Sequence, residues 1–146
     1  MALRLRREHA AQIQAHVEAG YPAEACGILL GREVDGVKMV EGLHLVPNRW
    51  ANPEEQTHRF FIPPEEVRTA EALAARRGQE VLGFFHSHPD HPARPSAFDR
   101  EHAWPWYAYL IISVEGGRAV DWRVWQLTDD RSAFEEQGLE IVEDSG

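Results

Sequence analysis

Cysteine is almost missing from this chain: Cys26 is the only one among 146 residues. A single thiol excludes an internal disulfide framework and any zinc site built from several thiolates. Long apolar runs are missing too, and none approaches the ~20 residues that cross a bilayer. The opening MALRLRREHA is charged from its fourth residue and lacks the apolar core of a signal peptide. The expectation is therefore a cytoplasmic protein that does not bind membranes. Lysine is nearly absent as well, with Lys38 alone, and the net charge is −9. That balance leaves no basic face to neutralise phosphates and argues against nucleic acid as a partner. Repeats, linkers and low-complexity tracts are also lacking. What remains is 43% hydrophobic and 27% charged, an ordinary globular composition, with enough length to bury one core. Residues 1–146 are expected to form a single domain.

Hydrophobic spacing gives the elements. Ala10, Ile13 and Val17 recur at helical intervals, with Gly20 as the expected left-handed cap. Tyr21-Pro22 turns the chain into the apolar run ACGILLG, of strand length. Val34 to Val46 reads as a hairpin about Asp35-Gly36. The stretch 47–57 is rich in Pro and Asn and reads as a loop, and HRFFI reads as a short strand ended by Pro63-Pro64. Val67, Ala70, Leu73 and Ala74 share one face of a second helix, which Gly78 ends. EVLGFFHSH is apolar on both faces, as a central strand is. A proline-rich loop, 89–95, leads to a short helix starting near Ser96. AYLIISV is another buried strand, followed by a turn at Glu115-Gly116-Gly117. In AVDWRVWQL, Val120, Trp122 and Val124 alternate with polar residues, which predicts one dry face. The acidic tail offers a last strand at LEIV. The fold class is mixed α/β, one sheet with flanking helices.

The chemistry lies in GFFHSHPDHPARPSAFD. Side chains two apart on a strand share a face, so His86 and His88 project together from the end of a rigid strand. Pro89 disfavours helix at His88 and keeps the pair extended. The loop then returns a helix start, with Ser96 at its cap and Asp99 in its first turn. Two imidazoles and one carboxylate are the ligand set of a catalytic zinc site that leaves its fourth position to water. A His-x-His pair alone is more often a surface pair, and Ser-x-x-Asp alone is an ordinary helix cap. The two readings are compatible, because a capped helix end is a stiff mount for a ligand. His91 and His102 are competing ligands, ranked below the strand pair.

This stretch resembles the JAMM (MPN-plus) metalloprotease family, whose motif is His-Ser/Thr-His-Pro, then Ser and Asp at fixed spacing. His86-Ser87-His88-Pro89, Ser96 and Asp99 match it without a gap. The family also has a glutamate far upstream, and Glu24 in PAEACGILLG stands there, in a run similar to the bacterial branch. The resemblance implies one zinc ion on His86, His88 and Asp99, Glu24 as general base, and Ser96 as oxyanion donor. Without it, Glu24 reads as an exposed acid after a turn. It implies an (iso)peptidase acting on the Gly-Gly tail of a ubiquitin-like or sulfur-carrier protein, the tail lying extended as an added strand. It also implies a cytidine-deaminase-like (JAMM/MPN) α/β sandwich. A homodimer is left open. Trp50, Trp104 and Trp106 are candidates to line the approach, with core packing the alternative for the last two. The competing functions are a catalytically silent scaffold, a zinc deaminase (which needs a Cys-x-x-Cys pair) and a Cys26 nucleophile.

Overall fold

In the computed structural model, which describes residues 2–143, alternating side chains divide the strands between two cores. Seven strands form one sheet: β1 Ala2–Arg6, β2 Cys26–Val34, β3 Val37–Val46, β4 Glu80–Pro89, β5 Ala108–Glu115, β6 Arg118–Leu127 and β7 Phe134–Val142. Their order, β1-β3-β2-β4-β5-β6-β7, closes on itself because β1 also pairs with β7. Three pairings are parallel (β1 with β3, β1 with β7, β4 with β5) and the others antiparallel. The chain is thus mixed α/β as expected, but its sheet is a closed barrel. The strand order does not bear out the cytidine-deaminase-like sandwich.

The sheet curls around α1, Arg7–Gly20, which contacts β1, β3, β5, β6 and β7. Ile13 and Val17 are fully buried there among Leu3, Leu5, Leu29, Phe85, Leu110 and Ile112. Each fully buried side chain of this size contributes roughly 1.5–3 kcal/mol. The outer face of β2 and β4 carries Cys26, Ile28, Leu30 and Val81, covered by α2, Pro64–Arg76, through Ala70 and Ala74. Small alanines on that helix face allow close approach to the sheet. The third helix, α3, is short, Ala97–His102. No helix among the described residues is long and apolar enough to cross a membrane.

Several expectations need correction. ACGILLG and the hairpin are one unit, because β2 runs on to a turn where Asp35 and Gly36 both have positive φ, as a two-residue hairpin requires. HRFFI is not a strand: Asn48 holds it instead, donating to the Arg59 carbonyl and accepting from the Phe61 amide. Within 47–57, Pro53–Thr57 forms a 3-10 turn. Gly20 is not left-handed; Tyr21 caps α1 through its amide to the Glu18 carbonyl. Val120 is exposed, since a register shift pairs Val114 with Ala119 but Ser113 with Asp121. The bulge leaves Val120 unpaired and turns Ala119 toward the core beside Trp122 and Val124. The strand β1 was not anticipated at all, and LEIV is only part of β7.

Candidate metal centre and its cleft

Strand pairing sets the site. Cys26 lies opposite His86 in the antiparallel ladder of β2 and β4. Stepping back along β2 places Ala25 beside Ser87, and two bonds hold that step. The Ser87 amide donates to the Ala25 carbonyl at 2.9 Å, and the Ala25 amide donates to Ser87 Oγ at 2.8 Å. One residue further back, Glu24 leaves the ladder, its amide donating to the Gln56 carbonyl, and lines one cleft with His88. A one-residue slip would send every one of these side chains to the other face. The middle residue of His-Ser-His is therefore the clamp for the start of β2, a role the sequence reading missed.

Donor atoms of three residues converge at the end of β4. His86 Nε2 and His88 Nε2 are 3.2 Å apart, His86 Nε2 is 3.2 Å from Asp99 Oδ1, and His88 Nε2 is 3.1 Å from the other carboxylate oxygen, Oδ2. All three residues are buried, and one donor atom from each lies within 4.8 Å of the other two. The His–His separation is near the ~3.3 Å edge of a tetrahedron with ligand bonds near 2.0–2.1 Å. His88 Nδ1 donates to the Pro92 carbonyl at 2.8 Å, which leaves a lone pair on Nε2, facing the carboxylate. Such tautomer control is typical of ligating histidines. A bare lone pair against a carboxylate repels; a cation between them, whether a shared proton or a metal ion, reverses the sign. The donor set therefore fits a divalent metal. His91 and His102 are not in it: His102 Nδ1 donates to the Phe98 carbonyl, and His91 lines the cleft outside.

Asp99 is mounted by a capping box. Its amide donates to Ser96 Oγ at 3.1 Å, and its Oδ2 accepts from the Ser96 amide at 2.9 Å. Burial raises the Asp99 carboxyl, but the charges of His86 and His88 and their hydrogen bonds outweigh it and hold the group well below the usual carboxylate range. The converse holds for His86, where burial disfavours the cation and Asp99 more than restores it. Phe60 stacks on the His86 ring at 4.5 Å, another contact the sequence reading missed.

Glu24 is 5% exposed, and its Oε1 is buried without a hydrogen-bond partner. Burial raises its carboxyl to about 7; His86 and His88 oppose the rise and Asp99 adds to it. Only its backbone is tied down: its amide donates to the Gln56 carbonyl at 2.6 Å, and Asn48 Nδ2 donates to its carbonyl at 2.9 Å. Glu24, His88 and Ser96 share a cleft of about 300 Å³ with His58, His91, Pro92 and Arg94.

With this geometry in hand, comparison with known proteins is decisive. The family model for prokaryotic homologs of the JAB domain matches residues 6–128. The chain belongs to the Prok-JAB family. Among curated relatives, a desampylase of Haloferax volcanii is 40% identical over 65% of this chain and 66% of its own length, just under two thirds. A probable TtuB-protein conjugate cleaving protease of Thermus thermophilus is 32% identical over 74% of this chain and 68% of its own. The solution structure of a Desulfitobacterium hafniense protein superposes with a TM-score of 0.83 at 32% identity, over 99% of this chain and 94% of that one.

Two expectations about this JAB-family chain resolve here. Cys26 is fully buried, its thiol is pushed up to about 12 by burial, and it packs beneath α2; such a thiol is inert. Of the three tryptophans, Trp50 sits by the site, edge-on to Phe98 of α3 at 5.5 Å. Trp106 packs against the inner core with Lys38 Nζ 4.3 Å over its ring, and Trp104 is 63% exposed beneath Arg131.

Proposed function

We propose that this chain is a zinc-dependent isopeptidase that hydrolyses an amide at the C-terminal tail of a ubiquitin-like or sulfur-carrier protein. The observation that carries it is a buried three-residue donor set, His86, His88 and Asp99, whose His88 lines the same cleft as an unpartnered buried carboxylate, Glu24. The names of the Haloferax and Thermus relatives support the substrate class. His86, His88 and Asp99 would hold the metal; when bound, zinc there polarises a carbonyl and makes water acidic near neutral pH. The Glu24 carboxylate takes a proton from the attacking water and returns it to the leaving amine. In the metal-free chain burial raises this carboxyl to about 7; a bound cation would draw it down, which favours the carboxylate form that a base needs. Ser96 Oγ accepts from the Asp99 amide, so its own O–H is left to donate to the oxygen of the attacked carbonyl. A cytoplasmic location fits this substrate class.

The barrel closes through short registers: β1 pairs with β3 only over Val37–Met39, so Val40–Val46 keeps an edge with no strand on that side among the described residues. An extended tail can still add main-chain hydrogen bonds at such an edge, and glycines let its backbone approach the cleft closely. The test is a panel of fusions to a carrier protein, with and without a terminal Gly-Gly, incubated with zinc-loaded protein. Mass spectrometry should place the cut after the glycines. Equal rates on tails lacking glycine would defeat the substrate assignment, and no zinc-dependent cleavage of any member would defeat the enzyme.

A further inference from the structure

Most charged clusters on this acidic chain neutralise themselves. Arg4 meets Glu140 at 2.9 Å, Arg32 meets Glu41 at 2.9 Å, and Arg123 meets Asp121 at 2.8 Å. Arg94 has no carboxylate partner among the described residues, and it is not among the charges that act on Glu24. An unpaired arginine by itself is ordinary; Arg68 on α2 is another. Arg94 differs by place. It lines the cleft that holds Glu24, His88 and Ser96, where the remaining nitrogen-bearing side chains are His58 and His91. Its loop is braced rather than loose. The Arg94 amide donates to the Pro92 carbonyl at 2.8 Å, Trp125 Nε1 donates to the Ala93 carbonyl at 3.0 Å, and the Pro92 carbonyl also receives His88 Nδ1. The His88 ring and the Arg94 backbone are thus held by one short piece of chain, which roots the guanidinium beside the cleft.

We infer that Arg94 binds a carboxylate that the substrate carries beside the scissile amide, and so selects among substrates. The inference rests on the peptidase function proposed above. A guanidinium presents two parallel N–H groups to a carboxylate, a geometry lysine cannot reproduce. His58 and His91 line the same cleft and can add donors. One chemistry has two sources here. The carboxylate is either the α-carboxylate of a single amino acid attached to the tail, or an acidic side chain next to the linked lysine of a protein.

The test uses zinc-loaded wild type, Arg94→Ala and Arg94→Lys on matched peptides. One pair is acetyl-Gly-Gly-Gly-Ala as free acid and as carboxamide. The other joins the same glycine tail to lysine Nε within Asp-Lys-Asp or Asn-Lys-Asn. Mass spectrometry gives KM and kcat, and an NMR titration of each peptide gives Kd independently of turnover. Wild type should prefer the acidic member of at least one pair, and which pair identifies the source. On that member Arg94→Ala should raise KM and Kd by about ten- to a hundredfold, with kcat nearly unchanged and zinc content intact. Arg94→Lys should recover part of the loss, and the uncharged members should bind both proteins alike. Equal binding of acid and amide by wild type, or equal weakening of both by Arg94→Ala, overturns the inference. If wild type cleaves none of the peptides, the peptidase function fails, and the titration still decides the carboxylate.

Discussion

The His86–His88–Asp99 corner and the Glu24 corner meet at one cleft through His88 and Glu24, yet they are braced differently. In the first, most side-chain polar atoms are engaged: the capping box holds Asp99, a carbonyl holds His88, and Phe60 covers His86, whose Nδ1 alone is buried without a partner. In the second, only the backbone is held, and the carboxylate end has no partner. The engaged corner fixes geometry, which a metal requires. The unengaged corner keeps a proton acceptor at high energy, which proton transfer requires. A site that satisfied Glu24 as thoroughly as Asp99 would hold its carboxyl low and make it a poor base.

The largest effect that could break this contrast is removal of a donor. His88→Ala should lower zinc affinity by more than about a hundredfold, read by competition with a chromophoric chelator, and abolish cleavage. Unchanged zinc in that variant would mean the donor set is not the metal site. Glu24→Gln should do the opposite: retain zinc by elemental analysis and lose about 10²–10⁴ in kcat.

The same variant tests the electrostatics. The Glu24 carboxyl is raised from 4.5 to about 7, so the metal-free folded chain retains a proton that the unfolded chain has released. Stability from this group is complete below pH 4.5 and lost as pH rises through about 7, a change of about 3 kcal/mol. Metal-free Glu24→Gln should therefore melt above wild type at pH 8, with the two converging at pH 4. Coincident melting curves at pH 8 would show that the acid is not held unpaired.

Smaller effects sharpen the comparison. Asn48→Ala removes bonds to the Glu24 and Arg59 carbonyls and the Trp50 and Phe61 amides. It should cost about 2–3 kcal/mol in urea unfolding and reduce kcat while leaving zinc in place. Ser96→Ala should cost only about 1 kcal/mol of stability as a lost cap, but about 10²-fold in kcat if its hydroxyl serves the oxyanion. A fall in kcat of no more than severalfold would reduce Ser96 to its capping role.

The two corners also differed in how far they could be read from the sequence. The period of two in His86-Ser87-His88 and the Ser96–Asp99 cap are local signals, and the structure brings their side chains together. Glu24 carries no local signal, since its placement depends on a register between strands some sixty residues apart; only the family resemblance pointed to it. Phe60 was misread because HRFFI has the composition of a strand, while Asn48, eleven residues before Arg59, takes over its backbone bonds. The strand β1 was hidden because Arg4 and Arg6 alternate with only two apolar residues, and its partners lie far away in the chain. Closure of the barrel was illegible for the same reason.

That closure also bears on timing. Every donor of the metal corner lies between residues 86 and 99, but Ala2, which pairs with Val37 on one side, meets its other neighbour only at Gly138, on the last strand. Contacts of such long span form late and slowly, because so much chain must first be gathered. During synthesis, β1 waits with one neighbour until β7 emerges, and its open side is then a site for mispairing. The seam that closes the barrel is thus far along the chain from the candidate ligands, which sit on β4 and α3.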